Sequence, residues 1–190
     1  MLFKVIGCLF VILSFSACAS KTSIDIKQQV ALQKEATSII QQFANTLKPQ
    51  LKQALQHGGP AYAIETCSKA APLLTTQLSK QTGWSIKRVS LKARNHHTAI
   101  PNSWEKSILQ QFNRDQADGK SPSTMQASRI ENGTYQFMKA QSVTPVCLLC
   151  HGENLKPDVV AALKKYYPQD QARYYKLGQI RGAFSLTKQL

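Results

Sequence analysis

Gly83-Trp84-Ser85-Ile86-Lys87-Arg88-Val89-Ser90-Leu91 is where the chain changes character. Before it, apolar residues recur every three or four positions. From Trp84 they alternate with polar ones and are β-branched or aromatic, which is a strand signature. A strand is therefore expected over 84–91, continuing towards Lys92 and Arg94. Upstream, Ile26, Val30, Ile40, Phe43, Leu47, Leu51 and Leu55 share one face of a long helix. Pro49 should kink or split that helix, and His57-Gly58-Gly59-Pro60 should end it. A second stripe, Ala63, Ile64, Cys67, Ala71, Leu74 and Leu78, predicts another helix with Cys67 in the middle of its apolar face. Pro72 cannot donate to the carbonyl of Ser68, so the backbone one turn beyond Cys67 should be irregular.

Downstream the elements are shorter. Asn95 to Asn102 reads as a loop carrying His96, His97 and Pro101, and Ser103 as the N-cap of a helix reaching about Asp118. Asp118-Gly119-Lys120-Ser121-Pro122 is a turn, Thr134 to Val143 a strand ended by Pro145, and Val159 to Tyr167 a short helix. Gly178 to Leu186 closes the chain as a strand, with Gly182 expected at a bulge. Helices followed by strands and short helices predict an α+β fold. No internal repeat or Gly/Ser-rich linker interrupts residues 18–190, which are expected to form one domain.

Cys147-Leu148-Leu149-Cys150-His151 carries the chemistry. C-x-x-C-H is the sequence to which haem c is attached: both thiols become thioethers on one porphyrin edge, and the histidine is placed to reach the iron. Residues three apart lie on one helical face, which the double attachment requires. A zinc site would need four N or S ligands, with Cys67 and scattered histidines as the only completions. A thioredoxin-like pair would place the motif at the start of a helix after a strand. The histidine directly after the second cysteine points to haem.

The N-terminus gives the compartment. Met1 to Ala17 has one positive charge, Lys4, and an apolar run from Val5 to Phe15 too short to span a bilayer, as in a secretory signal. Ser16-Ala17 before Cys18 resembles a lipoprotein cleavage site, making Cys18 the lipidated residue of a periplasmic protein. The other reading of Ala17-Cys18-Ala19 is an ordinary small-x-small site, cut after Ala19 to release a soluble chain. Of the five cysteines, Cys8 leaves with the signal, Cys18 is lipidated or removed, and Cys147 and Cys150 belong to the motif. Cys67 is left without a disulfide partner in an oxidising compartment and calls for a reason. A second iron ligand would be one; a small buried hydrophobe is the other.

Lys and Arg number 24 against 10 Asp and Glu, a net charge of +14. Two haem propionates would offset part of this. Outside the cytoplasm no nucleic-acid target is expected, so the excess suits solubility, an anionic membrane surface or an acidic redox partner.

Several stretches together resemble the exported c-type haem proteins with a PAS-like fold, a family long catalogued as a domain of unknown function. They are Ala63-Ile64-Glu65-Thr66-Cys67, Gly83 to Leu91 leading to Arg94-Asn95, Trp104-Glu105, and Cys147-Leu148-Leu149-Cys150-His151-Gly152. Tyr167-Pro168, Asp170 and Gly178-Gln179-Ile180-Arg181-Gly182 complete them, and in order they cover most of residues 18–190. The chain departs from the family at His96-His97, where a proline-containing loop is usual. The resemblance implies one haem c in an antiparallel sheet flanked by helices, with a long N-terminal helix alongside. It also implies that Cys67 ligates the iron opposite His151.

Residue by residue, His57, His96, His97, Met125 and Met138 are the rivals of Cys67. The histidines sit in polar loops, Met138 lies among apolar strand residues, and Met125 follows a Ser-Pro-Ser-Thr turn. Two functions are expected rather than an enzymatic one. The first is a redox or small-ligand haem sensor in which Cys67 exchanges, which needs a separate signalling partner. The second is a periplasmic electron-transfer cytochrome docking an acidic partner through Lys87, Arg88, Lys92 and Arg94. A haem peroxidase would need an open distal site, with His96 or His97 as base.

Lipidation of Cys18 has a direct consequence. With Ala19 and Ser20 following and no Asp, the outer membrane is expected. Cys18→Ser should move the protein from the membrane fraction to the soluble one; an unmodified, soluble wild type beginning at Ser20 would show that the small-x-small site is used instead.

Overall fold

The computed structural model describes residues 25–190; the expected leader and Cys8 and Cys18 lie outside them. The element α1, Ile26–Thr82, opens at an Asp25 cap whose side chain accepts from the Lys27 amide. It is broken by non-helical backbone at Gly58 and Gly59, so that it acts as two helical segments. The break falls where His57 to Pro60 predicted a stop. The expected break at Pro49 does not form: the backbone keeps helical dihedrals through Pro49 and Pro72. Ile26 and Val30 are exposed, and the first segment buries Leu32, Ala36, Ile39, Ile40 and Phe43 instead. The second segment follows the predicted stripe, with Ala63, Ile64, Ala71, Leu74 and Leu78 buried and Cys67 half-buried among them. Gly83 ends α1 in a left-handed turn, its amide donating to the Ser79 carbonyl at 3.0 Å.

Four antiparallel strands follow in the spatial order β1-β4-β3-β2. They are β1 Ser85–Val89, β2 Gln126–Glu131, β3 Thr134–Ser142 and β4 Ile180–Gln189. β1 stops at Val89, short of the expected Leu91, because Ser90 turns away and its amide bonds to the Ala99 carbonyl at 3.1 Å. β2 was not expected. It joins β3 through Asn132-Gly133, both at positive φ (49° and 70°), the two-residue hairpin turn that this dipeptide favours. Helix α2, Ser103–Ala117, is capped by Asn102 rather than Ser103: Asn102 accepts from the Glu105 amide at 2.9 Å while Glu105 accepts from the Asn102 amide at 2.8 Å. The four-residue α3, Leu148–His151, and α4, Pro157–Tyr166, complete the set.

The sheet has two covered faces. α1 packs on one through Phe43, Leu74, Leu78, Trp84, Tyr135, Phe137, Phe184 and Leu186, with Phe43 edge-on to Phe184 at 5.3 Å. Each fully buried large apolar side chain contributes about 2–3 kcal/mol. α2 covers the other face through Leu109, Phe112, Met125, Met138 and Val89. Ile64 on α1 also packs against Val159 and Leu163 of α4, which ties the helical layer to the segment after α3. This is the α+β, PAS-like arrangement: an antiparallel sheet flanked by helices with a long N-terminal helix alongside. Among the described residues no helix is long and apolar enough to cross a membrane.

The sheet has one irregularity. β4 pairs Gly182 with Gln141 and Ile180 with Ser142, which leaves Arg181 as an unpaired bulge residue. Gly182, expected at the bulge, is its neighbour. A Cβ there would lie 2.4 Å from the Val89 carbonyl oxygen, so the close approach of β1 and β4 requires glycine.

Candidate haem-attachment site

Cys147, Cys150 and His151 lie on the turn after β3. Pro145 starts a 3₁₀ turn through Cys147, and α3 carries the chain on to His151. Both cysteines are free thiols, as is Cys67. Cys147 Sγ accepts from the Thr144 amide at 3.4 Å and shares a hydrogen bond with Thr144 Oγ1 at 3.2 Å. It packs beside Val143, Ala172 and Tyr175, whereas Cys150 packs beside Ile64, Val159 and Leu163.

His151 is fixed in one tautomer by its neighbours. Nδ1 lies 2.8 Å from the Ala172 carbonyl, an acceptor, so Nδ1 carries the proton. Arg181 Nε–H donates to His151 Nε2 at 3.3 Å, so Nε2 presents a lone pair. Tyr175 stands edge-on to the ring at 6.1 Å, and its amide bonds to the His151 carbonyl at 3.0 Å. Burial, then the charges of Arg181 and Arg94, push the imidazole pKa down to about 2. A neutral imidazole tethered through Nδ1, with its lone pair on Nε2, is the form a metal ligand requires.

Asp170 holds this arrangement in place. Its carboxylate accepts from Arg94 Nε at 3.1 Å, Arg173 Nε at 3.1 Å and the Ala172 amide at 3.0 Å, and its side chain is 1% exposed. Arg94 Nη2 also donates to the carbonyls of Cys150 and Ala172. The loop after β1 is thereby stapled to the attachment motif.

Cys67 faces the same region from α1. Burial pushes its thiol pKa up, while Arg88 and Arg94 pull it back towards the thiolate. Cys150 is raised by burial too, and feels the charge of Cys67. A cavity of about 500 Å³ opens between α1, β1 and the 90–101 loop, one turn beyond Cys67, with Pro72, Arg88, Arg94, His97, Tyr167 and Arg181 in its wall.

The rivals of Cys67 are placed elsewhere. Met125 and Met138 are buried on the α2 face of the sheet, opposite to α1. His57 is exposed at the helix break, beside Tyr62. His97 reaches the cavity wall, and the Nε2 of His96 is buried without a partner. The four basic residues expected to dock a partner are engaged in the fold. Lys87 pairs with Glu105 at 2.9 Å, Arg94 with Asp170, Lys92 lies 4.3 Å from the Tyr175 ring centre, and Arg88 lies 5.3 Å from that of Phe43. Among the described residues no three His, Cys, Asp or Glu are gathered closely enough to hold a metal ion by themselves, so the zinc reading lacks a donor set. Asp170 and the bulge residue Arg181 were not singled out for a role at the site. Their partners are distant in sequence, with 76 positions between Arg94 and Asp170 and 30 between His151 and Arg181, and no local pattern reveals them.

The family described as Tll0287-like (Tll0287) matches residues 20–188. A crystal structure of the cyanobacterial heme-protein Tll0287 superposes with a TM-score of 0.64, covering 87% of this chain and 97% of that one at 19% identity. At that identity the likeness speaks for the fold. No curated protein matches.

The neutral His151 makes stability depend on pH. Unfolded, its pKa returns to 6.5; folded, it stays near 2, so between these values the unfolded chain binds a proton that the folded chain does not. Stability therefore falls as pH drops below about 6.5, by up to about 1.4 kcal/mol per pH unit from this group. Urea unfolding at pH 7 and pH 5 should show a smaller loss in His151→Gln than in the wild type. Equal losses would mean that His151 is not held neutral.

Proposed function

The chain belongs to the Tll0287-like family, and on that premise we propose that it is an exported monohaem c-type protein that senses redox state or a small ligand. Haem is the ligand named for the cyanobacterial protein with the same fold. The residues at the site fit it. Two free thiols three positions apart precede an imidazole whose tautomer leaves Nε2 as an acceptor, and that imidazole is the observation on which the reading rests. Cys147 and Cys150 would hold the group covalently. His151 and Cys67 would be the protein ligands of its iron. When bound, haem supplies a one-electron iron couple whose potential follows its axial ligands.

The sensor reading is supported by where Cys67 stands. Its α1 segment lies between the Gly58-Gly59 break and Pro72, which leaves the Ser68 carbonyl without its usual helical donor. Cys67 thus sits on a segment that keeps helical dihedrals but lacks one helical hydrogen bond. Burial, the larger effect, favours its thiol and raises its pKa, while Arg88 and Arg94 favour the thiolate. An electron carrier would instead present its cations to an acidic partner, and two of the four expected to do so, Lys87 and Arg94, are already ion-paired within the fold. A separate signalling protein would read the change, with the chain held at the periplasmic face of a membrane through Cys18.

The test separates attachment from ligation. Cys147→Ser with Cys150→Ser should abolish the haem stain on a denaturing gel. Cys67→Ala should keep the stain but give a high-spin ferric spectrum, a higher reduction potential and faster binding of carbon monoxide or nitric oxide, because a negative ligand has left the iron. An unchanged spectrum and potential in Cys67→Ala would reduce Cys67 to core packing and put the electron carrier ahead of the sensor.

A further inference from the structure

Arg88 and Arg181 are two uncompensated charges beside the attachment motif. Each is half-buried, and among the described residues neither takes part in an ion pair. Arg88 lies 5.3 Å from the Phe43 ring centre, and Arg181 donates to a neutral imidazole. The one carboxylate nearby, Asp170, is already shared between Arg94 and Arg173.

Desolvated like charges gathered without an anion are costly, so such a cluster is expected where an anion completes it. Arg88, Arg94 and Arg181 all line the same cavity, whose wall contains no Asp or Glu. A guanidinium is a planar fork that matches a carboxylate through two parallel hydrogen bonds. The bulge in β4 that leaves Arg181 unpaired is the local device that delivers it here.

We propose that Arg88 and Arg181, with Arg94 beside them, form a cradle for the two propionate carboxylates of the haem. The cradle rests on the haem reading and adds where the anionic edge of the group lies: over the cavity between α1, β1 and the 90–101 loop. Arg181 now occupies the His151 lone pair that the iron would take, so on loading it exchanges a neutral acceptor for a charged one. That exchange strengthens its hydrogen bond and frees His151.

The experiment uses the full-length, haem-loaded protein and its Arg88→Gln, Arg88→Lys and Arg181→Gln variants. The readouts are the propionate bending bands of the resonance Raman spectrum and the reduction potential. Both glutamine variants should shift the bands. Arg88→Gln should favour the ferric form about tenfold, about 59 mV for a one-electron couple, because loss of a nearby cation stabilises the more positive iron. Arg88→Lys, which retains the charge and guards against a folding defect in the glutamine variant, should recover the potential but not the bands, since an ammonium lacks the fork. Bands unchanged in both glutamine variants would overturn the cradle, whether or not the potential moves; a potential that falls alone would mean that the arginines act only through their field. A wild type without haem would remove the haem reading itself, and the cradle with it. A haem-loaded wild type whose bands ignore both substitutions removes the cradle alone.

Discussion

The buried carboxylate of Asp170 is the interaction on which the site depends. It draws Arg94 from the loop after β1 and Arg173 from the segment before β4, and it caps the Ala172 amide. Arg94 in turn holds the carbonyls of Cys150 and Ala172, and the Ala172 carbonyl accepts a hydrogen bond from His151 Nδ1–H. A chain of hydrogen bonds thus runs from one acid to the tautomer of one imidazole. Removing one partner of such a buried pair costs about 3–5 kcal/mol, because the other charge is left stranded. Here it would also release the histidine.

The fold serves this chain by bringing four distant segments to one end of the sheet. α1 delivers Cys67, β1 and its loop deliver Arg88 and Arg94, the turn after β3 delivers the attachment motif, and the bulge in β4 delivers Arg181. The α2 face of the sheet holds a separate apolar cluster, including both methionines that rivalled Cys67 as candidate ligands. Charge is divided in the same way. Acids are few, and the buried one on the α2 side, Glu105, is bonded to Lys87 and Ser185. The cavity wall on the α1 side holds guanidiniums and no acid.

Much of this could be read from the chain, and what could not has physical reasons. The C-x-x-C-H motif and the stripe from Ala63 to Leu78 are local patterns, and the stripe packs as its spacing implies. The change at Gly83 is also local, and a strand begins two residues later. β2 was missed because most of its residues face solvent, so it lacks the buried alternation that marks a strand; Asn132-Gly133 was the available signal. Pro49 misled because the helix carries through it with helical dihedrals, and the break falls at the glycine pair nine positions later. Ile26 and Val30 fitted the helical spacing, yet they precede the part of α1 that meets the sheet. Asp170 and Arg181 gain their meaning only from tertiary contacts, one through an arginine 76 positions away and the other through a bulge.

On the proposed haem reading, the atoms around the iron would decide between a sensor and a carrier. X-ray absorption at the iron edge of the purified ferric protein addresses this directly, since sulfur and nitrogen scatter at different distances and strengths. One sulfur in the first shell alongside nitrogens is the predicted result, with Cys67 opposite His151. A first shell of nitrogens alone would contradict it and return Cys67 to the apolar stripe in which it sits.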